Sequence, residues 1–298
     1  MTIISYICNI KTLFVLTLGI FLHKEVQSQI ALPVNYEFQQ FFEVYNYMNP
    51  SVVDSSKIFS IRLHNRTSFG LFEGVQRNIL VANKIFFKNN RRFATLGIAA
   101  TRASDGPFIQ RNGLYISGAW FTKLSSRWAI SAGMKVGSLN YVFKPSQFSV
   151  GGSDWAWDGA IGLSLYSPKV IVGLSIQQIL PSTLRPLDYI VFLNPYWNIF
   201  YKGILYQKGV WLGEMNALMS WSTQTSVTLS FAPIVTWNHL VKSGLIYQYA
   251  KGLSIFIGIQ STLGQHLRWS IGASFLLYST SSSRFTDGVL EFSGLIHP

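Results

Sequence analysis

Residues 128–137 read Trp-Ala-Ile-Ser-Ala-Gly-Met-Lys-Val-Gly. Trp128, Ile130, Ala132, Met134 and Val136 fall on one parity. Ala129, Ser131, Gly133, Lys135 and Gly137 fall on the other. A greasy face thus alternates with a small or polar one at the period of a β-strand. The pattern recurs in Val170–Gln177, Leu253–Gln260 and Leu267–Leu277. A soluble strand hides such an apolar face in a core. A membrane barrel strand turns it to lipid and gives its small, polar face to the lumen.

Composition separates the two cases. Apolar residues make up 49% of the chain and charged residues 12%, against about 25% charged in ordinary globular domains. A β-sandwich or propeller would need more charge on its surface. No internal run of about 18 apolar residues occurs, so transmembrane helices are not expected. High apolar content without apolar runs is what dyad alternation produces. The sequence therefore predicts an all-β transmembrane antiparallel β-barrel, preceded by a short non-barrel segment.

The only long apolar stretch, Leu13–Leu22, follows Lys11 and precedes Val26-Gln27-Ser28. It is too short to span a bilayer and fits a secretory signal peptide over residues 1–28. The single cysteine, Cys8, lies inside it. A chain processed there would have no disulfide and no thiolate metal site. Formal charge is +12, but the basic residues are scattered at strand ends and turns, as in Lys88–Arg92 and Lys123–Arg127. Such places suit anionic lipid headgroups, an acidic partner or the solubility of loop tips rather than a nucleic acid.

Residues 29–56 differ from the rest and form a segment lying outside or inside the barrel rather than a domain. Phe38–Tyr45 is aromatic, lacks alternation and predicts a short helix ended by Asn49-Pro50. From residue 57 to 298 we expect about 14 strands, each near the roughly 9–11 residues of a tilted membrane strand; two of them are Thr223–Pro233, ended by its proline, and Thr236–Tyr249. Links 141–154 and 181–197 are long and alternate with tight turns, such as Leu124-Ser125-Ser126 and Lys208-Gly209. Trp120, Trp128, Trp155, Trp157, Tyr166, Trp197, Tyr201, Trp211, Trp221 and Trp237 sit near strand ends, where interface girdles would place them. Gly, Ser and Ala dominate the second face, which argues for a narrow or plugged lumen.

Chemistry is sparse. His64, His239, His266 and His297 have no partner at metal-ligand spacing, so neither metal nor cofactor is expected. No nucleophile elbow occurs. His64 and His239, both expected within strands, are the only candidate bases, and lone strand histidines more often line a lumen. Asp154 and Asp158 share a strand face at about 13 Å, too far apart for a glycosidase pair.

Phe38-Gln39-Gln40-Phe41, Tyr47-Met48-Asn49-Pro50 and Arg62 resemble the N-terminal region of the PorP/SprF family of type IX secretion and gliding proteins of Bacteroidetes. Leu96-Gly97-Ile98, Asp105-Gly106-Pro107, Leu139-Asn140-Tyr141, Asp158–Leu163 and Val172–Ser175 are similar in order to the family's later strands. Two features depart from it: Ser51-Val52 follows Asn49-Pro50, and the chain ends Ile296-His297-Pro298. The resemblance implies a non-enzymatic barrel in a Gram-negative outer membrane. It would assist export or surface anchoring of cargo, such as adhesins with C-terminal sorting domains, alongside other type IX components. A passive channel or hydrophobic-solute transporter is the alternative. Phe38, Phe41, Phe42, Tyr45, Tyr47, Asn49 and Pro50 are expected to form an exposed aromatic docking surface beside basic loops.

Overall fold

A computed structural model describes residues 38–53, 58–69, 74–88, 91–146, 150–180, 182–187, 191–223, 227–249, 252–263, 267–278 and 289–297. The expected signal peptide, its cleavage site and His266 lie outside these residues.

Fourteen strands close an antiparallel barrel. They are β1 (Phe59–Ser68), β2 (Gln76–Lys88), β3 (Arg91–Asp105), β4 (Ile109–Lys123), β5 (Ala129–Phe143), β6 (Gly152–Tyr166), β7 (Val170–Gln177), β10 (Tyr196–Lys208), β11 (Trp211–Ser222), β12 (Thr228–Trp237), β13 (Val241–Gln248), β14 (Gly252–Leu263), β15 (Leu267–Tyr278) and β16 (Val289–His297). Each pairs with its sequence neighbour in the wall, and β1 pairs with β16 to close the ring. Closure leaves no sheet edge unpaired in lipid, which is what allows strands to cross a membrane.

The long link between β7 and β10 is not plain loop. It carries β8 (Ser182–Leu184) and β9 (Val191–Leu193), a two-stranded sheet that is not part of the barrel wall and buries Leu184 and Leu193 in the core cluster. Ser182 Oγ donates to the Trp157 carbonyl at 2.9 Å and fixes this sheet to β6.

Alternation sets which side each residue faces. Along β12 the odd positions from Phe231 to Trp237 are exposed and the even positions from Ser230 to Thr236 are buried. Pro233 sits mid-strand, although it was expected to end one. The β12–β13 ladder skips from Phe231 to Ile234, because proline has no N–H to donate there. The turn therefore falls at 238–240, and His239 belongs to it with φ 53° rather than to a strand.

Trp120, Trp128, Trp155, Trp157, Trp211 and Trp237 face outward as expected. Trp197 stacks on its register partner Trp221 at 6.0 Å, and Trp211 meets Trp237 at 6.5 Å. Tyr166 corrects the girdle expectation. It points inward and is buried.

The hydrophobic core is the lumen itself. Phe38, Phe41, Tyr45, Tyr47 and Met48 pack there against inward residues such as Ile79, Tyr115, Phe200 and Phe256. The outer face is apolar and exposed, with Met134 at 64% and Ile116 at 61%. The distribution inverts that of a soluble protein.

Candidate functional site

Residues 38–53 fill the lumen as a plug. It runs from the end at which β5 leads into β6 and β7 into β10 to the end at which β4 leads into β5 and β10 into β11 through tight turns. A 3-10 turn, Phe41–Glu43, and one helical turn, α1 (Tyr45–Met48), are its only regular structure. So short a helix is not stable by itself. Its backbone polar groups need partners, and the inward Ser, Gln and Lys side chains of the wall supply them.

At the loop end, the Gln39 and Gln40 backbone N–H groups donate to the two oxygens of Glu291 at 2.6 and 2.7 Å. His64 Nε2 donates to the same carboxylate at 2.5 Å. Gln40 Nε2 donates to the Glu291 carbonyl at 2.8 Å, Ser293 Oγ donates to Gln40 Oε1 at 2.6 Å, and Gln248 Nε2 donates to the Phe38 carbonyl at 3.1 Å. The edge of one ring meets the face of the other between Phe38 and His64, at 4.8 Å. Glu291 is wholly buried. Its charge is affordable there only because three donors converge on it.

In the middle, Lys135 Nζ donates to the Tyr47 carbonyl at 3.1 Å and lies 4.0 Å from the Tyr47 ring centre. Ser175 Oγ donates to the Met48 carbonyl at 2.8 Å. Tyr45 stacks on Phe200 at 4.6 Å.

Nearer the turn end, Asn49 Nδ2 donates to the carbonyls of Leu163 and Leu174, and its Oδ1 accepts from Ser51 N and Oγ. Tyr166 OH donates to the Ser51 carbonyl at 3.0 Å, and Val53 N donates to Tyr166 Oη at 2.8 Å. Three wall glycines make room for this turn. A Cβ on Gly162 would overlap Asn49 Oδ1, one on Gly133 the Pro50 carbonyl, and one on Gly173 the Phe200 ring. The small face of the strands thus accommodates the plug.

Glu43 is held differently. Arg62 Nη1 donates to its carbonyl at 2.8 Å and to its carboxylate at 3.4 Å, and Lys242 Nζ lies 3.7 Å from the other oxygen. Burial alone would raise its pKa. The charges of Lys242, Arg62, Lys202 and His64 outweigh that and hold it at about 2. Glu43 faces a cavity of about 540 Å³ that is also lined by Lys202, Glu214 and Asn46.

The seven residues expected to dock a partner are thus brought together, but not on a surface. Phe38, Phe41, Tyr45, Tyr47, Asn49 and Pro50 are buried, and Phe42 is partly buried beside the cavity. Aromatic groups with backbone donors find more burial and more acceptors in the lumen than in water, which corrects the expected exposure. Sequence reasoning missed Glu291, Lys135, Gln177 and Tyr166. Their only signal was a polar residue on the small face of a strand. His64 serves the clamp, and among the described residues no group of three His, Cys, Asp or Glu converges as a metal site.

A closed barrel with an apolar exterior and a filled lumen defines an outer-membrane β-barrel of the plugged kind. The profile of the type IX secretion system membrane protein PorP/SprF family matches residues 34–294. The chain belongs to that family. It is a secretion-related outer-membrane protein, and the family implies association with other secretion components. No curated protein matches the chain. Among solved structures it is similar to the toluene transporter TbuX of Ralstonia pickettii, with 10% identity, a TM-score of 0.52 and coverage of 84% of this chain and 91% of that one. A FadL homologue of Pseudomonas aeruginosa is similar with 9% identity, a TM-score of 0.53 and coverage of 84% and 92%. These likenesses are of fold. Family and fold point to a membrane barrel and secretion component, not to a known enzyme class. With the outer membrane as the setting, the tight-turn end is periplasmic and the long-link end extracellular.

Proposed function

We propose that this barrel is a non-catalytic docking partner in type IX secretion. It receives specific cargo proteins, such as adhesins carrying C-terminal sorting domains, for export or surface anchoring in support of gliding. The observation that carries this reading is a family match over residues 34–294 on a barrel whose lumen is already occupied. A filled lumen favours holding a partner over conducting a solute. The signal peptide over residues 1–28 delivers the chain to the envelope, and outer-membrane lipid covers the exposed apolar belt. Phe38, Phe41, Phe42, Tyr45, Tyr47, Asn49 and Pro50 reach a partner when the plug shifts. Phe42, which borders the cavity, is the first to do so.

The neighbours' printed names suggest a second reading, a channel for hydrophobic solutes. The charged lining of the cavity weighs against it, since Arg62, Lys202, Lys242, Glu43 and Glu214 are poor company for an apolar solute. The deciding experiment is an affinity pull-down of the gently extracted protein from its native outer membrane, read by mass spectrometry. Recovery of a large surface protein with a sorting domain, or of type IX components, is the expected result. Recovery of the barrel alone after crosslinking, together with steady conductance in planar bilayers, would replace docking by transport.

A further inference from the structure

Two cavities lie at the periplasmic end of the lumen, of about 540 and 470 Å³, and both have Lys242 and Leu295 in their walls. The first gathers Arg62, Lys169, Lys202 and Lys242 against Glu43 and Glu214. The second adds Arg268, His239 and His297, and among the described residues no carboxylate lines it. The periplasmic mouth is therefore cationic on balance.

Glu43 shows what this mouth accepts. It is a carboxylate seated between Arg62 and Lys242, yet at 3.4 and 3.7 Å it is beyond close charge-assisted distance. Two amides add a second kind of contact. Asn46 has neither its Nδ2 nor its Oδ1 hydrogen-bonded, and Asn216, 2% exposed, has an unpartnered Oδ1. Both line the first cavity. Buried amide atoms are rarely left without partners. Here Asn46 Nδ2 offers donors and the Oδ1 atoms of Asn46 and Asn216 offer two acceptors to a peptide backbone, while the cations around them suit acidic side chains.

We propose that this vestibule binds an acidic, extended peptide segment of a partner protein, whose carboxylates compete with Glu43 for Arg62 and Lys242. The proposal rests on the docking reading above and supplies its chemistry. Lipid headgroups do not fit, because Arg62, Lys202 and Lys242 lie on the lumen side of a closed wall. A free phosphate would use the cations and leave the amides idle. Since Glu43 belongs to the plug, occupation of the vestibule also loosens the plug at Glu43, while Asn49–Val53 keep their own contacts with the wall. Partner binding and plug loosening are thereby coupled through one residue.

The test uses the full-length protein in detergent micelles and a fluorescein-labelled oligoglutamate peptide, read by anisotropy. Saturable binding is expected. It should weaken about tenfold in Lys242→Gln and about threefold in Arg268→Gln, and tighten about threefold in Glu43→Gln. Asp154→Asn, at the extracellular end, and Lys84→Gln, on the outer wall, should leave it unchanged. Heat-dependent gel mobility verifies that each variant is folded, and Arg268→Gln lies outside the Glu43 ion pair. The proposal is overturned by absent saturation, by equal loss in Lys84→Gln, by no tightening in Glu43→Gln, or by inorganic phosphate displacing the peptide at equal concentration. Failure of peptide binding with successful pull-down rejects the vestibule and leaves docking standing. Failure of the pull-down with intact peptide binding does the reverse.

Discussion

Two carboxylates hold the plug by opposite means. Toward the extracellular side Glu291, without solvent exposure, gathers Gln39 N, Gln40 N and His64 Nε2 within 2.7 Å. On the side facing the periplasmic cavity Glu43, with a side chain 16% exposed, meets Arg62 and Lys242 at 3.4 and 3.7 Å. The first is a clamp, because removing any member strands a buried polar group. The second is a latch, because water can replace what is lost. A carboxylate therefore does different work in one lumen according to its burial.

Glu291→Ala should break the comparison most severely. It strands the two backbone N–H groups and His64, a loss of about 3–5 kcal/mol for an uncompensated buried site. Thermal unfolding in detergent should fall accordingly, and the variant should conduct in planar bilayers. Unchanged stability would mean that the clamp is ornamental.

Gly162→Val probes the turn end of the plug, which neither carboxylate holds. The new side chain collides with Asn49 Oδ1 and should cost about 1–3 kcal/mol through overpacking. Faster protease cleavage within the plug, with the barrel intact, is the expected readout.

The latch should respond least. Glu43→Gln should cost less than Glu291→Ala, no more than about 3 kcal/mol, and should leave the barrel non-conducting. If it conducts as freely as Glu291→Ala, clamp and latch are equivalent and the comparison fails.

Acidity sharpens the same contrast. Glu43 is held at about 2, below its ordinary 4.5. A depressed carboxyl stabilises the folded state above its ordinary value, and the contribution is lost as pH falls toward the folded one. Protease access to the plug should therefore rise between about pH 4.5 and 2 in the parent. That dependence should be absent in Glu43→Gln.

Much of the wall was legible because alternation carries its own geometry. Val170, Val172 and Leu174 face outward on β7, and Ser175 and Gln177 face the plug, as parity alone requires. Pro233 misled the turn placement. A proline with its missing donor on one side of a ladder is compatible with a strand interior, and sequence gives no sign of that side. The β8–β9 sheet was invisible because three-residue strands have no measurable period.

The candidate site was half legible. Its aromatic half stood out in Phe38–Tyr45 and in the Asn49-Pro50 turn. Its polar half did not, because Glu291 lies about 250 residues away in sequence from the amides it accepts.

From local sequence rules, a period of two and a shortage of charge, it follows that the chain is a barrel of about 14 strands, which face meets lipid, and that the lumen is narrow or plugged. Only the tertiary structure decided that the aromatic segment lies inside rather than outside, that His64 serves Glu291, and that Lys242 faces Glu43. Those outcomes depend on closure, which brings β1 against β16 and sets the inward residues of every strand around one enclosed space.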